Sequence, residues 1–179
     1  THIARAQWAV SDQHKVIGYF HHIDNEDSPA ASSNNYGLRY LGGASLGTLP
    51  ISLTAEYAHQ TDTANNPVNY SANYWHGNIA FKFDPLFNFN TGLEILSGDE
   101  RNGRAFRTPL ATLHAFNGWS DQFIQTPTLG LQDFFSGIKG KYQDISWQLH
   151  WHYFQTEVNH NKIGTEWNAA INYKLHDSV

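Results

Sequence analysis

Ile145-Ser-Trp-Gln-Leu-His-Trp-His-Tyr153 alternates without a break. Ile145, Trp147, Leu149, Trp151 and Tyr153 fall on one side, Ser146, Gln148, His150 and His152 on the other. Successive side chains of a strand point to opposite faces, so this stretch reads as a strand with one apolar and one polar face. The same pattern runs through the chain and predicts nine strands, over 2–10, 14–24, 35–46, 51–60, 71–83, 87–97, 131–142, 145–155 and 164–175. Their connections alternate in length. Ser11-Asp-Gln13, Gly47-Thr-Leu-Pro50, Asp84-Pro-Leu86 and Gln143-Asp144 are short and carry turn residues. Asn25 to Asn34, Thr61 to Tyr70, Gly98 to Gly130 and Thr156 to Ile163 are long. One-faced strands with short turns at one end and long polar loops at the other are the pattern of an antiparallel transmembrane β-barrel. The expected fold class is therefore all-β, with the first, third, fifth, seventh and ninth strands running toward the periplasm.

The expected membrane face includes Ala4, Ala6, Trp8 and Val10 in the first strand, Tyr36, Leu38, Tyr40 and Ala44 in the third, and Ile51, Leu53, Ala55 and Tyr57 in the fourth. It continues with Trp75, Gly77, Ile79, Phe81 and Phe83, then Phe87, Phe89, Leu93 and Ile95, and in the last strand Trp167, Ala169, Ile171, Tyr173 and Leu175. Rings gather at both ends of these stripes. Tyr36, Tyr57, Trp75, Tyr153 and Trp167 lie toward the long loops; Trp8, Phe83, Phe87, Tyr142, Trp147 and Tyr173 lie toward the short turns. Such girdles suit rings with an apolar body and a polar edge at the lipid–water boundary. A soluble sandwich also alternates, but has no reason to place rings at both strand ends.

Composition sets further bounds. The 179 residues suffice for one domain, here read as a single β-barrel domain over 1–179. A net charge of −5, with no basic stripe, excludes a nucleic-acid partner. Cysteine is absent, so no disulfide framework supports the fold. The mean hydropathy of −0.51 is polar, and no apolar run approaches the roughly 20 residues of a membrane helix. A barrel needs only alternate residues to be apolar, so a polar average is compatible with one. The chain opens on Thr1-His-Ile within a strand, without a signal peptide. Bacterial barrels have even strand numbers and begin with a strand rising from the periplasm. Nine strands beginning with a descending one, and the turn-like end His176-Asp-Ser-Val179, predict a partial chain of a larger barrel.

The polar face would line the lumen with Arg5, Arg39, Glu56, His76, Lys82, Glu94, Lys139, Lys141, His150, His152, Glu166 and Lys174. Both signs are present, which sets up a transverse field that sorts solutes by charge and dipole. Taken singly, most of these side chains are expected to be merely hydrated or paired. His150 and His152 share a face and, with Glu157, have the spacing of a first cupin motif, although the preceding glycine and a second motif are missing. This keeps open an alternative: a soluble β-barrel ligand-binding protein or metalloenzyme using His150 and His152. The remaining histidines show no metal-ligand spacing. No nucleophile–base arrangement and no phosphate-cradling glycine loop is found, so neither an enzyme activity nor a cofactor is expected.

Gly98 to Gly130 is longer than a strand connection needs, and long loops in compact domains usually have a function. It carries Asp99, Glu100, Arg101, Arg104 and Arg107, then the rings of Phe116, Trp119 and Phe123. The rings are expected to pack into the barrel mouth or to fold back as a plug. The charges would bias a constriction toward small anionic or polar solutes, with acidic lumenal neighbours blunting the preference.

Thr112-Leu-His-Ala-Phe-Asn-Gly-Trp-Ser-Asp-Gln-Phe123 and Thr126-Pro-Thr-Leu-Gly-Leu-Gln-Asp133 resemble a segment of the alginate-export-type outer-membrane porins. Gly164-Thr-Glu-Trp-Asn-Ala-Ala-Ile-Asn-Tyr-Lys174 is similar to their penultimate-hairpin region, and the match covers about the last 80 residues. The resemblance implies a channel in the bacterial outer membrane, a long loop near the pore and further strands beyond Val179. It does not imply alginate, because an anionic polymer calls for a lumen rich in arginine and this one has Arg5 and Arg39 beside carboxylates. The expectation is a channel for passive diffusion of small hydrophilic solutes, in contact with membrane lipid and lipopolysaccharide.

Overall fold

The alternating segments assemble into a nine-stranded antiparallel sheet in a computed structural model that describes residues 1–84, 86–109 and 117–175. The strands are β1 (His2–Ser11), β2 (His14–Ile23), β3 (Ser33–Leu46), β4 (Leu49–Asp62), β5 (Ser71–Asp84), β6 (Phe87–Leu96), β9 (Leu131–Tyr142), β10 (Ile145–Gln155) and β11 (Lys162–Tyr173). Two short strands, β7 (Gly98–Asp99) and β8 (Arg104–Ala105), form a separate hairpin within the long segment after β6. The large sheet runs β1-β2-β3-β4-β5-β6-β9-β10-β11, so sequence neighbours are spatial neighbours and the chain meanders up and down. β1 and β11 are its edges, and they do not pair.

All nine predicted strands are present, with ends shifted by up to two residues. The β7–β8 hairpin was not foreseen. It is held by the Asp99 carboxylate, which accepts from the backbone N–H of Arg101 at 2.9 Å and from the Asn102 side chain at 2.7 Å. Gln143 at φ 52° and Gly47 at φ 62° make two of the tight turns.

Register assigns the faces. Leu38 pairs with Tyr57, Tyr57 with Trp75 and Trp75 with Ile95, while Leu149 lies between Ile138 and Ala169. These residues share one face, and among the described residues no second layer covers it. Trp8 is 69% exposed and Trp167 67%, and Tyr36, Leu38, Trp75, Phe83, Tyr142, Ile171 and Tyr173 are also exposed. The rings pair laterally at the surface, as in Tyr57–Trp75 at 4.3 Å and Phe20–Tyr36 at 5.0 Å between centroids. Contiguous exposed apolar faces of this kind are rare on soluble monomers and mark protein or membrane contact surfaces.

The opposite, inner face carries the buried polar side chains, among them Asn35, Gln60, Glu94, Asp133, His152 and Asn168. It also carries the compact apolar cluster of Ala58, Tyr70, Ala72, Tyr74, Leu96, Phe106, Leu131 and Phe154. Phe106 belongs to the long segment, so this core forms where the segment lies down on the sheet. Among the described residues no helix is long and apolar enough to cross a membrane, which says nothing of strands.

Candidate functional site: the inner wall and its strap

One register row crosses the middle of the inner face. Arg39 pairs with Glu56, Glu56 with His76, His76 with Glu94 and Glu94 with Asp133. Five ionisable groups thus follow one another across β3 to β9, each about 5 Å from the next backbone. Alternation alone put Arg39, Glu56, His76 and Glu94 on this face; register puts them side by side.

The carboxylates of this wall are held by donors of the wall itself. Glu56 accepts from the Tyr19 hydroxyl at 2.6 Å and faces Arg39 Nε at 3.5 Å. Glu94 accepts from the Tyr74 hydroxyl at 2.6 Å. Asp133, 1% exposed, has its Oδ2 2.9 Å from His152 Nδ1. Burying an ionised carboxylate is costly unless it is hydrogen-bonded, and each of these is.

The described parts of the segment between β6 and β9, 97–109 and 117–130, are pinned on the inner face and are called the strap below. Its two ends meet at a neck. Asp99 N–H donates to Thr128 O at 3.1 Å, and Glu157 N–H and Val158 N–H donate to Leu129 O. The neck closes on two glycines. A Cβ on Gly98 would collide with the backbone of Leu129 and Gly130, and one on Gly130, at φ 70°, with Leu96 O at 2.6 Å. From there Gln60, fully buried, clamps the backbone of Arg107. Its Nε2 donates to Arg107 O at 2.9 Å, and its Oε1 accepts from Arg107 N–H at 2.9 Å. Phe106 stacks on Tyr74 at 5.3 Å and Phe123 packs on Phe154 at 4.7 Å. At the far side the Glu166 carboxylate of β11 accepts from Trp119 N–H at 2.6 Å, Ser120 N–H at 3.1 Å and Ser120 Oγ–H at 2.5 Å.

Between the strap and β1–β6 remains a cavity of about 710 Å³, lined by Arg5, Tyr19, His21, Asn35, Arg39, Glu56, Glu94, Arg107 and Asp121 together with the apolar Ile17, Phe106 and Phe123. Toward the short turns, Lys82 and Lys139 flank Asn88 in one row, and Lys141 follows one step down β9. Lys82, Lys139 and Lys141 have no ion pair among the described residues. Lys174 lies just past β11, its N–H on Asp144 O at 2.8 Å.

The charges expected on the long segment separate. Arg107 lines the cavity. Arg104 is drawn aside, with Nη1 3.4 Å from Ala30 O and its guanidinium over the Tyr70 ring at 5.9 Å. Asp99, Glu100 and Arg101 sit in the hairpin away from the cavity, where the backbone N–H of Arg101 holds the Asp99 carboxyl below its ordinary range. Tyr70, beside Arg104, has its hydroxyl pushed up by burial. Trp119 lies 6.0 Å from His150, and Phe116 lies outside the described residues.

His150 and His152 do share the inner face. His152, however, is committed to Asp133, and its ring stacks on Phe154 at 5.5 Å. Glu157 turns to Gly98 N–H at 3.2 Å, at the strap's neck rather than toward the two imidazoles. Among the described residues no three His, Cys, Asp or Glu side chains gather as a metal-binding group.

Several residues of the site escaped the sequence. Asp133 has the same parity as Lys139 and Lys141 and could have been found by it. Tyr19 and Tyr74 lie on the polar face of their strands, where a ring reads as an exception until register shows the carboxylate opposite. Gln60 and the Asn117-Gly118 turn act through contacts across 47 and 46–49 residues of chain, which no local pattern reveals.

No protein-family model matches the sequence, and no curated protein matches it. Among solved structures the chain is similar to OccK11 (OpdR) of Pseudomonas aeruginosa, an outer-membrane porin, with a TM-score of 0.68 and 11% identity. The likeness covers 96% of this chain and 46% of that one. At this identity it shows the fold, a porin-type antiparallel β-barrel sheet, and the chain spans less than half the length of its structural neighbour.

Proposed function

We propose that this chain forms part of an outer-membrane channel through which small hydrophilic solutes diffuse passively, without covalent chemistry. The observation that carries this is the division of one sheet into two environments. The outer face is apolar, ring-bordered and uncovered; the inner face is charged, hydrogen-bonded and crossed by a strap beside a cavity of about 710 Å³. Lipid and lipopolysaccharide fit the first, and water and solute fit the second. Residues 1–179 then belong to a single barrel domain, with 98–130 as its pore loop.

A lean toward anions is part of the proposal. The inner carboxylates Glu56, Glu94, Asp133 and Glu166 are each turned to internal donors. Among the described residues Arg5 bonds Gln7 of its own strand, and Lys82, Lys139 and Lys141 have no ion pair. The groups left to meet a passing solute are therefore mainly cationic. The resemblance to alginate-export-type porins supports the channel and the placement of its loop, not a polymer substrate.

Planar-bilayer recording of the full-length protein tests this. Discrete ohmic conductance steps, with a reversal potential in a KCl gradient that favours chloride, are expected, and Lys139→Glu with Lys141→Glu should move that potential toward cation preference. Absence of conductance from correctly folded protein would overturn the channel, and cation preference in the unmodified protein would overturn the anionic lean.

A further inference from the structure

We propose that Glu166 is the latch of the strap: its carboxylate fixes the segment's tip on β11, closes the β9–β11 side of the inner face and confines passage to the cavity beside β1–β6. The inference rests on the channel reading for the word passage, but the latch itself stands on geometry alone.

Asn117 at φ 56° and Gly118 at φ 85° are consecutive left-handed residues. Two left-handed residues in succession make a tight turn, and here the N–H groups that follow it, of Trp119 and Ser120, both reach one point. The point is occupied by the Glu166 carboxylate, which takes two backbone N–H groups and the Ser120 hydroxyl. Gly118 is buried directly above it, and a Cβ there would come 2.7 Å from Glu166 Cδ. Asn and Gly are the residues that adopt left-handed backbone at least cost, so the Asn-Gly-Trp-Ser sequence is shaped to seat one carboxylate.

The latch lies opposite the strap's other attachment. Gln60 on β4 holds Arg107, and Glu166 on β11 holds Trp119 and Ser120. β4 and β11 are five strand spacings apart in the sheet, about 24 Å along its surface. The described parts of the strap are thus tied at both sides of the inner face, with Trp119 near His150 under the latch and Phe123, packed on Phe154, forming the cavity wall on that side. The cavity remains on the other side. Glu166 is not among the cavity's lining residues and acts through the Trp119–Ser120 backbone between the lining Asn117 and Asp121, so it is a positioning residue.

The test compares the full-length protein with Glu166→Ala, Glu166→Gln and Ser120→Ala. Hydrogen exchange at the Trp119 and Ser120 amides reads the latch. Removal of a charged acceptor should speed it by about ten- to a hundredfold in Glu166→Ala. Glu166→Gln keeps an acceptor oxygen and should fall between. Ser120→Ala combined with Glu166→Ala should add little to Glu166→Ala alone, since both remove one unit. Bilayer recording reads the routing: Glu166→Ala should give larger and noisier conductance steps, with heat-modifiable gel mobility showing an intact barrel. Unchanged amide exchange in a folded Glu166→Ala barrel would overturn the latch. Faster exchange with unchanged conductance would overturn the confinement of passage. If the unmodified protein conducts nothing, the channel itself fails, and the exchange arm still decides whether Glu166 holds the strap.

Discussion

Arginine at Leu149 should destabilise the barrel far more than arginine one residue earlier. From Ile145 to Tyr153 the outer stripe of β10 spans eight residue steps, about 27 Å along the strand at about 3.4 Å each. A tilt of about 40° leaves roughly 21 Å along the membrane normal, close to the ~25 Å apolar band of such barrels. Leu149 is the midpoint of that stripe, flanked in register by Ile138 and Ala169. A guanidinium at the midplane of the lipid face costs about 2–4 kcal/mol. That is roughly a 30- to 700-fold change in the folding equilibrium. Gln148 points inward, with Lys139 as register partner. Gln148→Arg should therefore cost under about 1 kcal/mol, through like-charge proximity. The assay is reversible denaturant folding of the full-length protein into phosphatidylcholine vesicles, with both variants measured against the parent. Equal losses, or a larger loss for Gln148→Arg, would refute the assignment of faces.

Three other outcomes follow from the strap. Gly130→Ala places a Cβ against Leu96 O at a left-handed backbone position and should loosen the neck. Faster hydrogen exchange at Asp99 and Glu157 with the barrel intact is expected, and unchanged exchange would mean the neck has room. Gln60→Leu leaves the Arg107 N–H and C=O without their clamp, at a local cost of about 1–3 kcal/mol, and should make the strap cleavable by trypsin at Arg107. Continued resistance to trypsin would show that Phe106 suffices to hold it. Burial raises the Tyr70 hydroxyl above its unfolded value near 10, so its contribution is complete below about pH 10 and fades as pH rises further. Strap protection should therefore fall above pH 10 in the parent and less in Tyr70→Phe; identical profiles would remove Tyr70 from the effect.

The strands were legible because each needs only local alternation. Ile145–Tyr153 betrays its faces within nine residues, and two-residue connections such as Gln143-Asp144 leave no choice of neighbour. β7 and β8 were not legible, since two-residue strands show no period and depend on the Asp99 side chain. Arg39, Glu56, His76 and Glu94 could be placed on the inner face by parity. Their order in one row, and the partners Tyr19, Tyr74 and Asp133, require register, which parity does not set. Glu166 shows the same limit. Its place on the inner face followed from the strand, but its partners are backbone amides 46 and 47 residues away in a segment without strand pattern. Arg104 differed from expectation because Ala30 O and the Tyr70 ring, both from other connections, draw it off the cavity.

The most direct measurement uses the six tryptophans. Trp8, Trp75, Trp147, Trp151 and Trp167 lie on the outer face, while Trp119 lies in the strap on the inner one. Two full-length variants are compared in vesicles, each keeping a single tryptophan of this region, Trp75 or Trp119, with phenylalanine at the others. Brominated lipid chains should quench Trp75 strongly and leave Trp119 unchanged. Quenching of Trp119 by lipid, or a Trp75 indifferent to it, would contradict a sheet that faces lipid on one side and encloses its strap on the other.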